Sequence, residues 1–444
     1  MGQEEERMAI YTFKGTDGDN TAALNKAIDA LKMGDELVIA KGVWKVGPVD
    51  VAKSDVTITF EEGAELLFIY DDMLYLPVFT RWEGQRCYAM HPCFYVHDAR
   101  KVTIRGKGIL NGNGTPWWEQ TMRKKHIQQG PYSVAEHRLA ALNPNYENQP
   151  GGGGGRPCQY LRPPLLQVYH SEGVVIDGLL LKDSPFWTLH PVFSTGLKLR
   201  NITIDNPADA PNTDGIDIDS CRDVEVDHCH IHVGDDGIAI KSGVGEDALE
   251  EAFPASAIYV HDCVVEAAHG GAVIGSETGC GVHDVRVENC TYIGTDRGVR
   301  IKTRRGRAGD IHGLSFKHLK MENVLCPITV NMYYVCGSKD ERLFSLEKQP
   351  VTDTTPHIYD VEIEDIEASG IRSACGFIVG LPEAPITGLS IKNCRFSLAD
   401  EKDLVDPELA SMSQGLPPAK SRGIRLRNVE VKFKDIVGAS VDQE

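Results

Sequence analysis

The 444-residue sequence contains no CxxC pair among its twelve cysteines and no zinc-ligand spacing. Dense disulfide frameworks belong to short secreted chains. The thiols are therefore expected to be reduced, as in a cytoplasmic protein. No run approaches the ~20 apolar residues that cross a bilayer, so no membrane partner is expected. The opening MGQEEERMAIY carries acidic residues and lacks the apolar segment of a secretory signal. Basic charge is also scarce: 46 Lys and Arg face 64 Asp and Glu, a net charge of −18. Affinity for a phosphate backbone rests on basic surface, which excludes nucleic acid as the main partner. Asn-Gly hairpin turns are nearly confined to Asn111-Gly112 and Asn113-Gly114, which weakens an antiparallel sandwich.

What the chain does have is a repeat. Apolar, any, apolar, any, polar or small, apolar, any, apolar recurs as VVIDGLLL from Val174, LKLRNITI from Leu197 and VEVDHCHI from Val224. It continues with IYVHDCVV from Ile258, VRVENCTY from Val285, LSFKHLKM from Leu314, VEIEDIEA from Val361 and LSIKNCRF from Leu389. Period-two alternation means strands. The fifth position (Gly178, Asn201, His228, Asp262, Asn289, His318, Asp365, Asn393) is expected to bend between two short strands. Strands too short to bury their own faces fit stacked coils. The fold class is all-β, a parallel β-helix, with residues 1–444 forming one domain. Cys229, Cys263, Cys290 and Cys394 fall on the sixth position, where they read as small interior fillers.

Two segments depart from the rhythm early in the chain. Asp19-Asn20-Thr21 predicts a helix start, with Ala23, Leu24, Ala27, Ile28 and Leu31 on one face and Gly34 as its stop. This places an N-terminal cap at about residues 8–45, covering a sheet edge that would otherwise invite aggregation. Residues 115–165, with Trp117-Trp118 and the glycine run 151–155, read as a long loop insertion near the functional groove. Residues 400–420 form a second excursion.

Candidate chemistry falls on consecutive coils. NTDG carries Asp214, VGDDGIAIKSG carries Asp235 and Asp236, HGG carries His269, and RIK carries Arg300 and Lys302. All follow one strand pair and precede or begin the next strand, so they are expected on one side of coils about 4.8 Å apart. Carboxylates held together cannot all ionise, and one pKa rises. One protonated acid with ionised neighbours is what glycosidic hydrolysis requires. His269 is placed to tune or reprotonate the acid. Arg297, Arg300, Lys302, Arg304, Arg305 and Arg307 concentrate positive charge beside the acids. They suit either local neutralisation or a carboxylated substrate.

NTDGID, GDDGIAIKSG, HGGAVIGSE and RGVRIKTRRG, in this order, resemble the four motifs of the polygalacturonases, glycoside hydrolase family 28. The resemblance extends to GNGTPWWE, SPFWTLHPV and ITVNMYY. It implies a right-handed β-helix and inverting hydrolysis of α-1,4 bonds between galacturonate units, without metal or cofactor. Its substrate would be a pectic oligo- or polysaccharide. Carried over by motif, Asp235 is the general acid, Asp214 and Asp236 activate water, and His269 supports the acid. Arg300 and Lys302 bind the uronate carboxylate with a tyrosine of NMYY, Tyr333 being preferred and Tyr334 left open. The third motif reads AHGG rather than GHG.

The 115–165 insertion and TRWEGQRCY at 80–88 resemble those of bacterial exo-acting members and are expected to wall off the groove. Arg81, Trp82, Arg86 and Trp187–His190 are the candidate contacts to a chain end, with His190 and Arg81 taken as substrate-binding. The rival readings are an endo-acting enzyme, a rhamnogalacturonan or xylogalacturonan hydrolase, a calcium-dependent pectate lyase and a non-catalytic carbohydrate-binding β-helix.

Overall fold

The computed structural model describes residues 8–127, 129–144, 146, 156–335, 338 and 340–444. Its strands form a 21-stranded sheet and a 12-stranded sheet, both parallel, wound as a right-handed β-helix. A hairpin, Pro77–Trp82 with Gln85–Met90, is antiparallel. The repeat sets the register. Leu197 pairs with Val224, then Ile258, Val285, Leu314, Val361 and Leu389 follow in line across successive coils. Every predicted bend residue has a positive φ, from 49° at Asn393 to 84° at Gly178. The turn is a left-handed residue, a conformation Asn and Asp tolerate and β-branched residues resist. Asn289→Val is therefore expected to cost ~1–2 kcal/mol in stability. Asn289→Gly should stay near wild type, and equal midpoints in denaturant for the two variants would refute the bend argument.

Inward positions form one continuous core between the sheets, with Cys229, Cys263, Cys290 and Cys394 buried in it as free thiols. Helix α1 (Thr21–Asp29) buries Leu24 and Ile28, but Ala23 is exposed and Leu31 lies beyond the helix end. Asn20 makes no side-chain cap; the Thr21 amide donates to Asp19 Oδ1 instead, at 2.8 Å. The 115–165 insertion holds two helices, α2 (Thr115–Ile127) and α3 (Val134–Leu142), where a loop was expected. Ser133 and Glu136 form a capping box at α3, the local signal that favours a helix start. The glycine run 151–155 lies outside the described residues. Among the described residues no helix is long and apolar enough to cross a membrane.

Candidate active site

The twelve-stranded sheet positions the chemistry. Asp214 precedes the Ile216–Asp219 strand, Asp236 opens Asp236–Lys241, His269 precedes Gly270–Gly275, and Arg300 and Lys302 lie in Arg297–Lys302. These four strands are neighbours in the middle of the sheet. Alternation sends Ile216, Ile218, Val299 and Ile301 into the core and the residues between them outward. The glycines around the aspartate pair serve close packing: a Cβ on Gly234 would lie 1.9 Å from the Ala208 carbonyl oxygen.

The three aspartates converge. Carboxylate oxygens of Asp214, Asp235 and Asp236 lie within 4.8 Å of one another. Asp236 accepts from Arg300 at 2.7 Å and Lys302 at 2.5 Å. Burial pushes its carboxyl up, but Lys302, Arg300 and Lys241 outweigh that and hold it far below the usual range. Asp214 is driven well above its ordinary value by burial and by the Asp235 charge. Asp235 keeps 22% of its side chain exposed and pairs with His269 Nδ1 at 3.2 Å. Burial raises its pKa, yet the His269 hydrogen bond tips the balance downward. His269 is raised in turn by that bond. Interacting carboxylates titrate as a unit, and the resting proton of this cluster favours Asp214, while Asp236 stays ionised.

Of the six clustered cations, Arg300 and Lys302 reach the acids. Arg305 is tied to Glu383 through two bonds of 2.5 and 2.9 Å, Arg297 pairs with Asp296, and Arg307 lies 3.9 Å from Glu277. The 400–420 excursion folds over the basic strand. Arg300 donates to Met412 Sδ at 3.1 Å, and Asn331 donates to the Ser411 carbonyl at 2.7 Å.

Three expected substrate contacts are buried against neighbouring protein groups. Tyr333 is fully buried, with its ring beside Arg305, whereas Tyr334 stands 5.6 Å from the Arg300 guanidinium and 5.2 Å from the Lys302 ammonium. Alternation past the strand end decides between the two neighbours. Arg81 is 1% exposed, donates to Asp219 and Ser220 at 2.7 Å each, and pairs with Glu251. His190 is equally buried, 2.9 Å from Gln167 Nε2 and edge-on to Trp187. His190 leaves the outward face of the sheet, whereas Arg81 reaches down to that face from the 77–90 hairpin, which packs over it together with helix α4 (Gly245–Glu251). Arg86 pins the hairpin to α4 through Glu251 at 3.0 Å and Asp247 at 3.5 Å, and Val244 bonds the Gly84 carbonyl.

Several site residues were given no role in the sequence reading, although Lys241, Asp217 and Glu277 lie within the quoted motifs. Lys241 is buried among Glu277 at 3.3 Å, Asp217 at 3.4 Å, and Asp214 and Asp236 at 3.9 Å each. Arg162, at the end of the insertion, bonds the Pro211 carbonyl at 2.7 Å and Asn212 at 3.4 Å, and Asn212 reaches Asp235 at 3.5 Å. Period two was the available signal. In GIDID and GIAIK it places Asp217, Asp219 and Lys241 on the outward face.

Proton-sharing carboxylates beside paired cations, on the open face of a parallel β-helix, define a carbohydrate-cleaving hydrolase. Residues 153–376 match the family described as glycosyl hydrolases family 28, and the chain belongs to it. A probable polygalacturonase of Vitis vinifera is 26% identical over 414 residues, covering 90% of this chain and 76% of its own. An exo-poly-alpha-D-galacturonosidase of Dickeya chrysanthemi is 25% identical over 337 residues, covering 70% of this chain and 55% of its own. A hyperthermoactive exopolygalacturonase of Thermotoga maritima superposes with a TM-score of 0.79 at 26% identity, covering 98% and 92% of the two chains.

Proposed function

We propose that the protein hydrolyses α-1,4 bonds between galacturonate units, from a chain end and with inversion. The observation that carries this reading is the meeting of Asp214, Asp235 and Asp236 with Arg300 and Lys302 on one outward face. Asp235, the most exposed of the three acids, meets the leaving oxygen. It delivers the proton that it shares with Asp214 and His269. Asp236, kept ionised by its cations, takes the proton of the attacking water, and Asp214, deprotonated once its proton has passed through Asp235 to the leaving oxygen, shares it. Arg300 and Lys302 hold the uronate carboxylate, and Tyr334 takes the place that Tyr333 was expected to fill.

Chain-end action is supported by the hairpin and α4, which cover the sheet at His190, with Arg81 of the hairpin anchored to Asp219 beneath. It is also supported by the names of the Dickeya and Thermotoga relatives. Sizing the products of end-labelled oligogalacturonides over time tests the point. Mono- or digalacturonate alone is expected, and an early ladder of oligomers would establish endo action.

The carboxylate spacing is shorter than the ~6.5–9.5 Å usual for inverting enzymes, so stereochemistry requires its own measurement. Proton NMR of the first product should show the β-anomer, and an initial α-anomer would refute inversion. Turnover is expected to persist in chelator without unsaturated product. Chelator-sensitive formation of an ultraviolet-absorbing product would favour a lyase.

A further inference from the structure

Lys241 belongs to the GDDGIAIKSG motif yet is buried. Its side chain is 3% exposed, and its ammonium lies 4.7 Å from the centre of the Trp187 ring. Four carboxylates surround it, from the turn before Ile216–Asp219, from that strand, from the start of its own strand and from the segment after Gly270–Gly275. Lys302 and His190 are the other charged or titratable groups whose fields it shares. Arg307 approaches Glu277 from the far side at 3.9 Å.

A buried ammonium is costly unless paired. Here four carboxyl groups face one ammonium, which offsets that cost. Asp219 lies directly beside Lys241 on the neighbouring strand, and Asp217 beside Ala239 two residues earlier. The ammonium therefore sits on the same outward face as the catalytic cluster, further along the strands. We infer that Lys241 is a positioning residue of the hydrolase, the buried counter-ion that fixes the charge and placement of Asp214 and Asp236 without touching substrate.

The inference rests on the proposed polygalacturonate hydrolysis and adds to it a pH signature. An opposite charge within ~4–6 Å lowers a carboxyl pKa by roughly 1–3 units. Lys241 acts in this direction on Asp214, Asp217, Asp236 and Glu277. Asp236 keeps Arg300 and Lys302 and stays ionised, but removing the Lys241 charge lets Asp214, already raised by burial, hold its proton to higher pH, which takes it out of the pair that activates water. The acid limb of kcat/KM then moves upward.

The test is the pH profile of oligogalacturonide hydrolysis for wild type, Lys241→Met, Lys241→Arg and the double variant Lys241→Met with Glu277→Gln. Lys241→Met is expected to raise the acid limb by about one pH unit or more. It should also lower kcat at least ~10-fold near the old limb, with KM little changed. Lys241→Arg should keep the wild-type limb. The double variant leaves no carboxylate orphaned by the lost cation at Glu277, so it guards against loss of folding, and its limb should rise as well. A folded neutral variant whose limb stays at the wild-type pH overturns the inference. So does the case in which only Lys241→Arg folds, which would make the cation purely structural. If wild type does not cleave galacturonans at all, the functional reading fails instead, and the two failures are distinct.

Discussion

Asp235→Asn is expected to lower kcat on oligogalacturonides at least ~100-fold, the usual range for loss of a general acid being 10²–10⁴. The amide keeps the shape of the side chain and its place beside His269, so binding should survive while turnover fails. KM is therefore expected to stay within a few-fold. The substitution has a second readout. His269 titrates above its ordinary value because it bonds to the Asp235 carboxylate. In the asparagine variant its pKa should fall back toward ~6.5, which an NMR titration of the imidazole resolves. The sign for stability follows: a raised His269 pKa contributes stability below the unfolded value, and that contribution is lost as pH rises through the folded one. Binding without turnover in both proteins would instead support a carbohydrate-binding β-helix.

Arg300→Gln should produce the second large loss. The guanidinium is nearly buried and lies 2.7 Å from Asp236. A planar fork suits bidentate contact with a carboxylate. Losing a charged hydrogen bond costs ~1.5–3 kcal/mol, roughly 10–150-fold in kcat/KM at 1.4 kcal/mol per decade. The loss should be much smaller on methyl-esterified substrate, which offers no charge to grip. Wild type should prefer free galacturonate and the variant should lose that preference. Equal losses on both substrates would assign Arg300 to holding Asp236 alone.

Much of this was readable in the chain. The alternation from Leu197 to Leu389 gave the coil register residue by residue, and the bend positions proved to be left-handed turns. The acids, His269, Arg300 and Lys302 were placed on neighbouring strands by the same pattern. What escaped detection depended on cover. His190 sits where an open groove was expected, but a hairpin distant in sequence closes over it, and Arg81 of that hairpin turns inward to Asp219 rather than to a groove. Tyr333 and Tyr334 differ only in which way the chain turns after the Cys326–Asn331 strand. Lys241 was in view in the quoted motif, and its meaning came only with Asp217 and Glu277, which lie on other coils.

The reacting groups occupy the middle four of twelve rungs, with several strands on either flank. In a stacked array each rung leans mainly on its neighbours, so loosening starts at the termini and works inward. Warming should therefore fray the first and last coils while catalysis continues. The enzyme gains a margin between its earliest melting and its loss of activity.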